Sequence, residues 1–516
     1  MKTGILRVRA AWWACASGAL LVLAACGSDS PTSTVSTSMA RGTLIENPPL
    51  RIAAVDAATL TAQLNATATG QQLLQITGAP TCGVDFNYMH YWTVGGANES
   101  VTASGALMVP TGTAAICSGQ RPILLYAHGT DTDKNRNLAD ITDPTNQEGA
   151  LLAAMYAAQG YIVVAPNYTG YDTSSLTYHP YLNAVAQSSD MIDALVAARS
   201  ALGKVLASSV ADDGKLFIAG YSQGGYVAMA THRAMQAAGM TVTASAPMSG
   251  PYALEAFGDF VFYGNVNLGS TIFTPLLTTS YQKSYGNVYK ATTDVFEATY
   301  APTIEGLLPS ATPIAQIIAS GQLPQLALFS STTPVTGNAM LDAALAVPTN
   351  PLFASGFGPS DLVTNAFRVN YVLDTLASAD GAVPKPTTLL PAANPTVGFR
   401  QDLKLNDLRG FMPAAPVLMC GGSQDPVVIY QVNTQVMATL WTALVQAHAV
   451  TVLDLETAPT AADPFAAAEG GFQMAKAGIA AAAGGGAAGQ QAVVQAYHTA
   501  EVPFCNAAAR GFFSNF

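Results

Sequence analysis

The sequence predicts an α/β protein: a mainly parallel central sheet flanked by helices, with a large inserted cap over one end. Three observations predict it. Apolar strands alternate with helix-like stretches from Arg121 to Gly250, the pattern of a parallel sheet covered on both faces. The same alternation returns after about residue 406. Between these two stretches it is lost. Ser222 and Asp425 stand 203 residues apart, where simple connections between sheet strands need roughly 60–100 residues. The excess is read as an insertion, since it shows no clear strand pattern or linker of its own.

Residues 1–25 read as an export signal. Lys2, Arg7 and Arg9 precede the short apolar run "ALLVLAA", which is too short to span a membrane. The run ends in "LAAC", which looks like a bacterial lipobox with Cys26 as the lipidated first residue, and a Ser/Thr-rich tether fills residues 26–48. An ordinary signal peptide with a stray cysteine is the alternative. Gly27 after Cys26 lacks the aspartate that retains a lipoprotein at the inner membrane. The expected location is therefore the outer membrane or cell surface, with the lipid as the membrane contact.

The first part of the core is expected at residues 49–255. "NYMHYWTV" and "SVTASGALMVP" form a hairpin across "GGANE". "RPILLYAHG" and "YIVVAP" are strands on either side of the helix "EGALLAAMYAAQG", and "NAVAQSSDMIDALVAARSALG" is the helix that leads to the strand "KLFIAG". "TVTASAPMSG" continues the sheet. The cap occupies residues 256–405 and is rich in Phe, Tyr, Leu, Pro and Thr. The second part of the core, residues 406–516, holds the strands "AAPVLMCGG" and "VTVLDLE". The Ala/Gly-rich stretch 461–490 is expected to be a helix followed by a turn.

Bulk properties narrow the function. Of 516 residues, 50% are hydrophobic and 10% charged, which excludes a disordered chain. A net charge of −11 with no Lys/Arg run excludes a nucleic-acid binder. Loss of residues 1–25 removes three positive charges and no acid, taking the formal charge from −11 to −14. A monomer is expected.

"GKLFIAGYSQGG" carries the chemistry. Gly-x-Ser-x-Gly alone is a weak signal, but here a strand precedes it and a helix follows. Gly220, Gly224 and Gly225 let backbone and helix pass closely, leaving the Ser222 hydroxyl exposed at the helix N-terminus as a nucleophile. A serine needs a base. His498, in "QAYHTAEVPFC", follows the last strand, where the third member of a Ser, Asp, His order falls. His128 better fits the loop that donates an oxyanion amide, while His90, His179, His232 and His448 carry no comparable signal. Asp425 follows the strand and Gly-Gly of "APVLMCGGSQDPVV", a better placement for the acid than Asp454 or Asp463. The NH of Gln223 faces any oxyanion at Ser222, and "YAHGTDTDK" supplies a second donor at Thr130 or Asp131, with Thr130 the expected one.

With Cys15 in the signal and Cys26 at the lipid site set aside, four cysteines remain, which allow two disulfides in three pairings. Acid and base must be adjacent in a triad, so Cys420, five residues before Asp425, is expected to pair with Cys505, seven after His498. Cys82–Cys117 would then close the N-terminal strands. No Cys/His cluster has metal-ligand spacing, and no metal or cofactor is expected.

With these residues in place, the chain resembles the α/β-hydrolases, and specifically the secretory lipase family that includes fungal lipase A. The stretches that carry this are "LLYAHGT", "VVAPNYTGY", "HPYLNAVAQSSDMIDALVAAR", "GYSQGG", "SAPMSGPY", "SYQKSYGNVY" and "PVLMCGGSQDPVV", from about residue 80 to His498. The resemblance implies Ser222, Asp425 and His498 as triad and Thr130 with Gln223 as oxyanion donors. It also implies that the insert is a helical cap over an acyl pocket. The Ala/Gly-rich stretch before His498 and the lipid anchor depart from the family pattern.

The expected activity is therefore that of a serine carboxylic-ester hydrolase, lipase or esterase, acting on small-molecule or lipid esters with an apolar acyl group. The alternatives are an esterase for polymer or plant-cell-wall esters, a serine peptidase on the same fold, and a surface-binding lipoprotein without catalysis. The chain shows no blade-like repeat of the kind that would support the peptidase.

Overall fold

A computed structural model describes residues 39–205, 209–444 and 449–516. Its strands are β1 (Leu50–Val55), β2 (Gly83–Val94), β3 (Ser100–Thr111), β4 (Gly119–Ala127), β5 (Ile162–Pro166), β6 (Val210–Tyr221), β7 (Ala244–Met248), β8 (Phe329–Ser330), β9 (Phe357–Gly358), β10 (Val417–Gly421) and β11 (Val450–Asp454). Nine of them form one sheet in the order β1-β2-β3-β5-β4-β6-β7-β10-β11. From β5 to β11 every neighbouring pair is parallel, whereas β1, β2 and β3 join antiparallel at one edge. The hairpin read at residues 87–110 is β2–β3, paired from Gly83↔Thr111 to Val94↔Ser100.

The uninterrupted apolar strands are explained by burial on both faces. In β4, Ile123, Leu125 and Ala127 point into one core, and Leu124 and Tyr126 into the other. β6 repeats the alternation with Leu216 and Ile218 against Phe217, Ala219 and Tyr221. Each such Leu, Ile or Phe side chain contributes about 1.5–3 kcal/mol when fully buried.

The insertion is mostly helical, from the helix Leu254–Phe262 to the helix Gly398–Leu405, with only the two-residue pair β8–β9 as sheet. Its Phe262, Leu276, Tyr281, Tyr371 and Phe399 belong to the same apolar cluster as one face of the sheet, so the cap is continuous with the core. Buried ion pairs tie the insertion together: Arg400 joins Asp259, at its other end, at 2.7 Å and Asp374 at 3.2 Å, while Arg409, just beyond it, joins Asp380 at 2.6 Å and Asp407 at 2.9 Å.

Two features differ from the sequence reading. The tether expected to reach residue 48 ends earlier, because Gly42 and Ile45 donate backbone hydrogen bonds to Trp92 and His90 of β2, and Leu44 is buried. Two helices, Ala57–Asn65 and Ala68–Thr77, precede β2 and have no counterpart in that reading. The signal and Cys26 lie outside the described residues. No helix among the described residues is long and apolar enough to cross a membrane. The disulfides Cys82–Cys117 and Cys420–Cys505 are both formed.

Candidate active site

Strand β6 runs directly into the helix Gln223–Ala237, with Ser222 between them at φ 60°, ψ −123°. For a residue with a Cβ this conformation costs of order 1–3 kcal/mol and persists only where the surroundings impose it. Here Ser222 N donates to the Met248 carbonyl at 3.0 Å, and Tyr226 N donates back to the Ser222 carbonyl at 3.2 Å. A side chain on Gly224 would overlap the Ala127 carbonyl, and one on Gly225 the Met248 carbonyl, so the helix can approach β4 and β7 only with glycine at both positions.

Asp425 and His498 meet. Asp425 sits in the turn after β10, 4% exposed. Its Oδ1 accepts hydrogen bonds from Val427 N and Val428 N, at 2.8 and 3.3 Å. Its Oδ2 lies 2.6 Å from His498 Nδ1. A carboxylate there selects the tautomer with the proton on Nδ1 and leaves Nε2 as the basic nitrogen. Nε2 is buried and has no hydrogen-bond partner, Ser222 included. His498 lies within the long helix Gly486–Phe513 and not on a loop. The Ala-rich sequence on its N-terminal side has high helix propensity, so the helix continues past the histidine. Cys505, on the same helix, is bonded to Cys420 at the end of β10, with 5.6 Å between the Cα atoms.

The loop after β4 lies beside Ser222: a Cβ on Gly129 would be 3.9 Å from Ser222 Cβ. Gly129 N already donates to Glu148 Oε1 at 3.3 Å, while the Thr130 hydroxyl bonds Tyr181 OH at 2.9 Å. Gln223 opens its helix, so its NH has no acceptor within that helix. Its side-chain Nε2 donates to His179 Nε2 at 2.7 Å, and His179 Nδ1 donates to the Thr169 carbonyl at 2.8 Å. Burial pushes the His179 imidazole down to about 3, keeping it neutral as this arrangement requires. His179 stands at the head of the "HPYLNA" stretch but was given no role from the sequence, and it orients Gln223.

Ser222 and Gln223 open on a cavity of about 80 Å³ lined by cap side chains, among them Leu254, Phe257, Val261, Phe273 and Phe399. Val427 and Val428, next to Asp425, also line it. A wider, open hollow of about 650 Å³ near Tyr430, Gln435 and Asp454 has neither Ser222 nor His498 in its wall.

Sequence reading also missed Glu501. Oxygen and nitrogen atoms of Asp425, His498 and Glu501 lie within 4.8 Å of one another, a grouping that could hold a cation. Asp425 and His498 are bonded to each other, and Glu501 Oε2 is engaged by Tyr221 OH at 2.8 Å and Ser249 Oγ at 2.7 Å. The cluster is thus a hydrogen-bond network. The spacing of His498 and Glu501, three residues apart on one helix face, is the signal that could have shown it.

The model of the prolyl oligopeptidase family matches residues 150–259, about a fifth of the chain that includes β5 and the Ser222 turn. Crystal structures of the rice cell wall degrading esterase LipA from Xanthomonas oryzae align over 81% of this chain and 91% of theirs, at 27% identity and a TM-score of 0.61. The chain is an α/β-hydrolase. A putative hydrolase from Legionella pneumophila shares the fold, at 20% identity over 80% of this chain and 91% of its own, with a TM-score of 0.58. Candida antarctica lipase A overlaps more loosely, at 12% identity over 80% and 76% of the two chains, with a TM-score of 0.45. No curated protein matches this α/β-hydrolase.

Proposed function

We propose that this hydrolase is a serine carboxylic-ester hydrolase acting through Ser222, His498 and Asp425. The observation that carries the reading is the Asp425–His498 bond at 2.6 Å beside the turn that holds Ser222. His498 Nε2 takes the Ser222 proton as Oγ attacks the ester carbonyl. The amides of Gln223 and Thr130 hold the oxyanion, and the imidazolium returns the proton to the departing alkoxide. Water, deprotonated by the same nitrogen, then attacks the acyl-enzyme and releases the acid.

The cavity beside Ser222 is apolar, which favours an apolar acyl group. Its 80 Å³ is small beside the roughly 300–1,000 Å³ of sites for drug-sized ligands, so a short acyl chain fits it best. Esters of cell-wall polymers are a second reading, favoured by the likeness to LipA. The family match over residues 150–259 raises a third, peptide cleavage. We also propose that the enzyme is exported and lipidated at Cys26, a reading supported by two disulfides, which persist in oxidising compartments.

Hydrolysis of p-nitrophenyl esters from acetate to palmitate, alongside acetylated xylan and a prolyl p-nitroanilide, separates these readings. We expect an optimum at short acyl chains and a loss of at least about 10⁴-fold in kcat in Ser222→Ala. Cleavage of the anilide with no ester turnover would replace the proposal with the peptidase.

A further inference from the structure

We infer that Glu501 is a positioning residue of this site: its buried carboxyl, in the protonated form, ties Tyr221 and Ser249 together beneath His498 and fixes the imidazole against the Ser222 turn. The inference rests on the ester-hydrolase reading. Glu501 is fully buried and lies one helical turn beyond His498. Tyr221 is the residue before Ser222, and Ser249 follows β7. Glu501 therefore links the helix of the base to the two strands that frame the nucleophile.

Counting protons shows which form is present. Tyr221 OH lies 2.6 Å from the His498 carbonyl and 2.8 Å from Glu501 Oε2. The carbonyl can only accept, so the single phenolic proton goes to it. The contact between the Tyr221 oxygen and Glu501 Oε2 then needs a proton from the carboxyl. Ser249 Oγ donates its own proton to the same Oε2 at 2.7 Å. Glu501 Oε1 is buried without a partner, which a neutral carbonyl oxygen tolerates better than a carboxylate does. Burial, and next the charge of Asp425, push the Glu501 carboxyl well above its ordinary range, in the same direction.

The titratable groups facing Glu501 are Asp425 from the turn after β10, Asp454 from the end of β11, Tyr221 from β6, and His498 and Tyr497 from its own helix. Asp425 and Asp454 both oppose a further negative charge. Loss of the Glu501 proton would break the link to Tyr221 and set a second carboxylate beside the Asp425–His498 pair. The consequence is an alkaline limit on activity.

The test compares the full chain with Glu501→Ala, Glu501→Gln and Tyr221→Phe, each checked for folding by circular dichroism. Two readouts are followed from pH 5 to 10: kcat and KM for p-nitrophenyl butyrate, and the rate of Ser222 labelling by a fluorophosphonate. Glu501→Ala should lose about 10²-fold in kcat with little change in KM, the scale of a catalytic group displaced by about 1 Å. Glu501→Gln, which keeps a neutral polar group of the same shape, should recover most of that loss. Its alkaline limb should move to higher pH. Tyr221→Phe should lower kcat and labelling even if Glu501→Ala fails to fold. The inference is overturned if Glu501→Gln is as impaired as Glu501→Ala, or if its alkaline limb coincides with that of the unaltered enzyme. Absence of Ser222 labelling in the unaltered enzyme would instead overturn the hydrolase reading, and this inference with it.

Discussion

Asp425 divides its carboxylate between two tasks. Oδ1 accepts from the amides of Val427 and Val428 and holds the turn, while Oδ2 orients His498. An asparagine would keep the first task with its carbonyl oxygen. Its amide would donate toward His498 Nδ1 and force the ring proton onto Nε2, the nitrogen that acts as base in the proposed mechanism. Asp425→Asn should therefore leave the denaturation midpoint nearly unchanged and lower kcat by about 10⁴-fold in ester hydrolysis. A loss below tenfold would mean that another group orients the imidazole. The meeting of Asp425 with His498 near the Ser222 turn was legible from residue order: a serine between strand and helix, an aspartate after strand-Gly-Gly, a histidine after the last strand. Glu501 and His179 were not: the three-residue step from His498 sets Glu501 on the same helix face, but the contacts of Glu501 with Tyr221 and Ser249, and of His179 with Gln223, join residues far apart in sequence.

Among the elements, the helix Gly486–Phe513 is held to the sheet by Cys420–Cys505, close to both Asp425 and His498. The bond Cys82–Cys117 fastens the chain ahead of β2 to the chain ahead of β4 and bears on neither the Asp425 turn nor the helix of His498. In the chain-entropy account, removing either should cost about 2–5 kcal/mol. Their effects on catalysis should differ. Replacing Cys420 and Cys505 by serine should lower kcat as well as the melting temperature, since acid and base lose their common anchor. Replacing Cys82 and Cys117 should lower the melting temperature alone. Kinetics and thermal melts on the two double variants check this, and equal effects on kcat would refute it. The pairing follows from the requirement that acid and base be neighbours, which the sequence order already contained. That His498 stands in mid-helix does not follow, because it depends on how far helix propensity carries through a segment packed against β10.

Across the whole molecule, several buried acids bind protons more tightly than they would in an unfolded chain. Burial pushes Asp190 and Asp402 up to about 7, Asp259 to about 6 and Glu255 to about 8. The last three lie in the cap, two of them beside Arg400. The native state keeps these protons while the unfolded chain loses them near pH 4. Stability from this source is complete below about pH 4, falls with a slope of up to about 1.4 kcal/mol per pH unit for each proton as pH rises above that, and is lost once pH has passed through the folded values of about 6 to 8. Urea midpoints should thus be lower at pH 8.5 than at pH 5. Asp402→Asn should flatten the dependence, since one Asp402 oxygen bonds Asn287 and the other has no partner. A midpoint rising from pH 5 to pH 8.5 would contradict this account.

By itself the sequence determined the alternation of strands and helices, the turn at Ser222, the pairing of Asp425 with His498, and the insertion by its length. These are local periodicities, glycine requirements and chain separations, and they are written along the chain. Only the tertiary structure decided that the cap shares the core of the sheet, that His179 steadies Gln223, and that Glu501 links Tyr221 to Ser249. Those outcomes depend on which buried polar atoms are left facing one another once the strands have packed, and residues 280 apart, such as Tyr221 and Glu501, give no sign of that in their spacing.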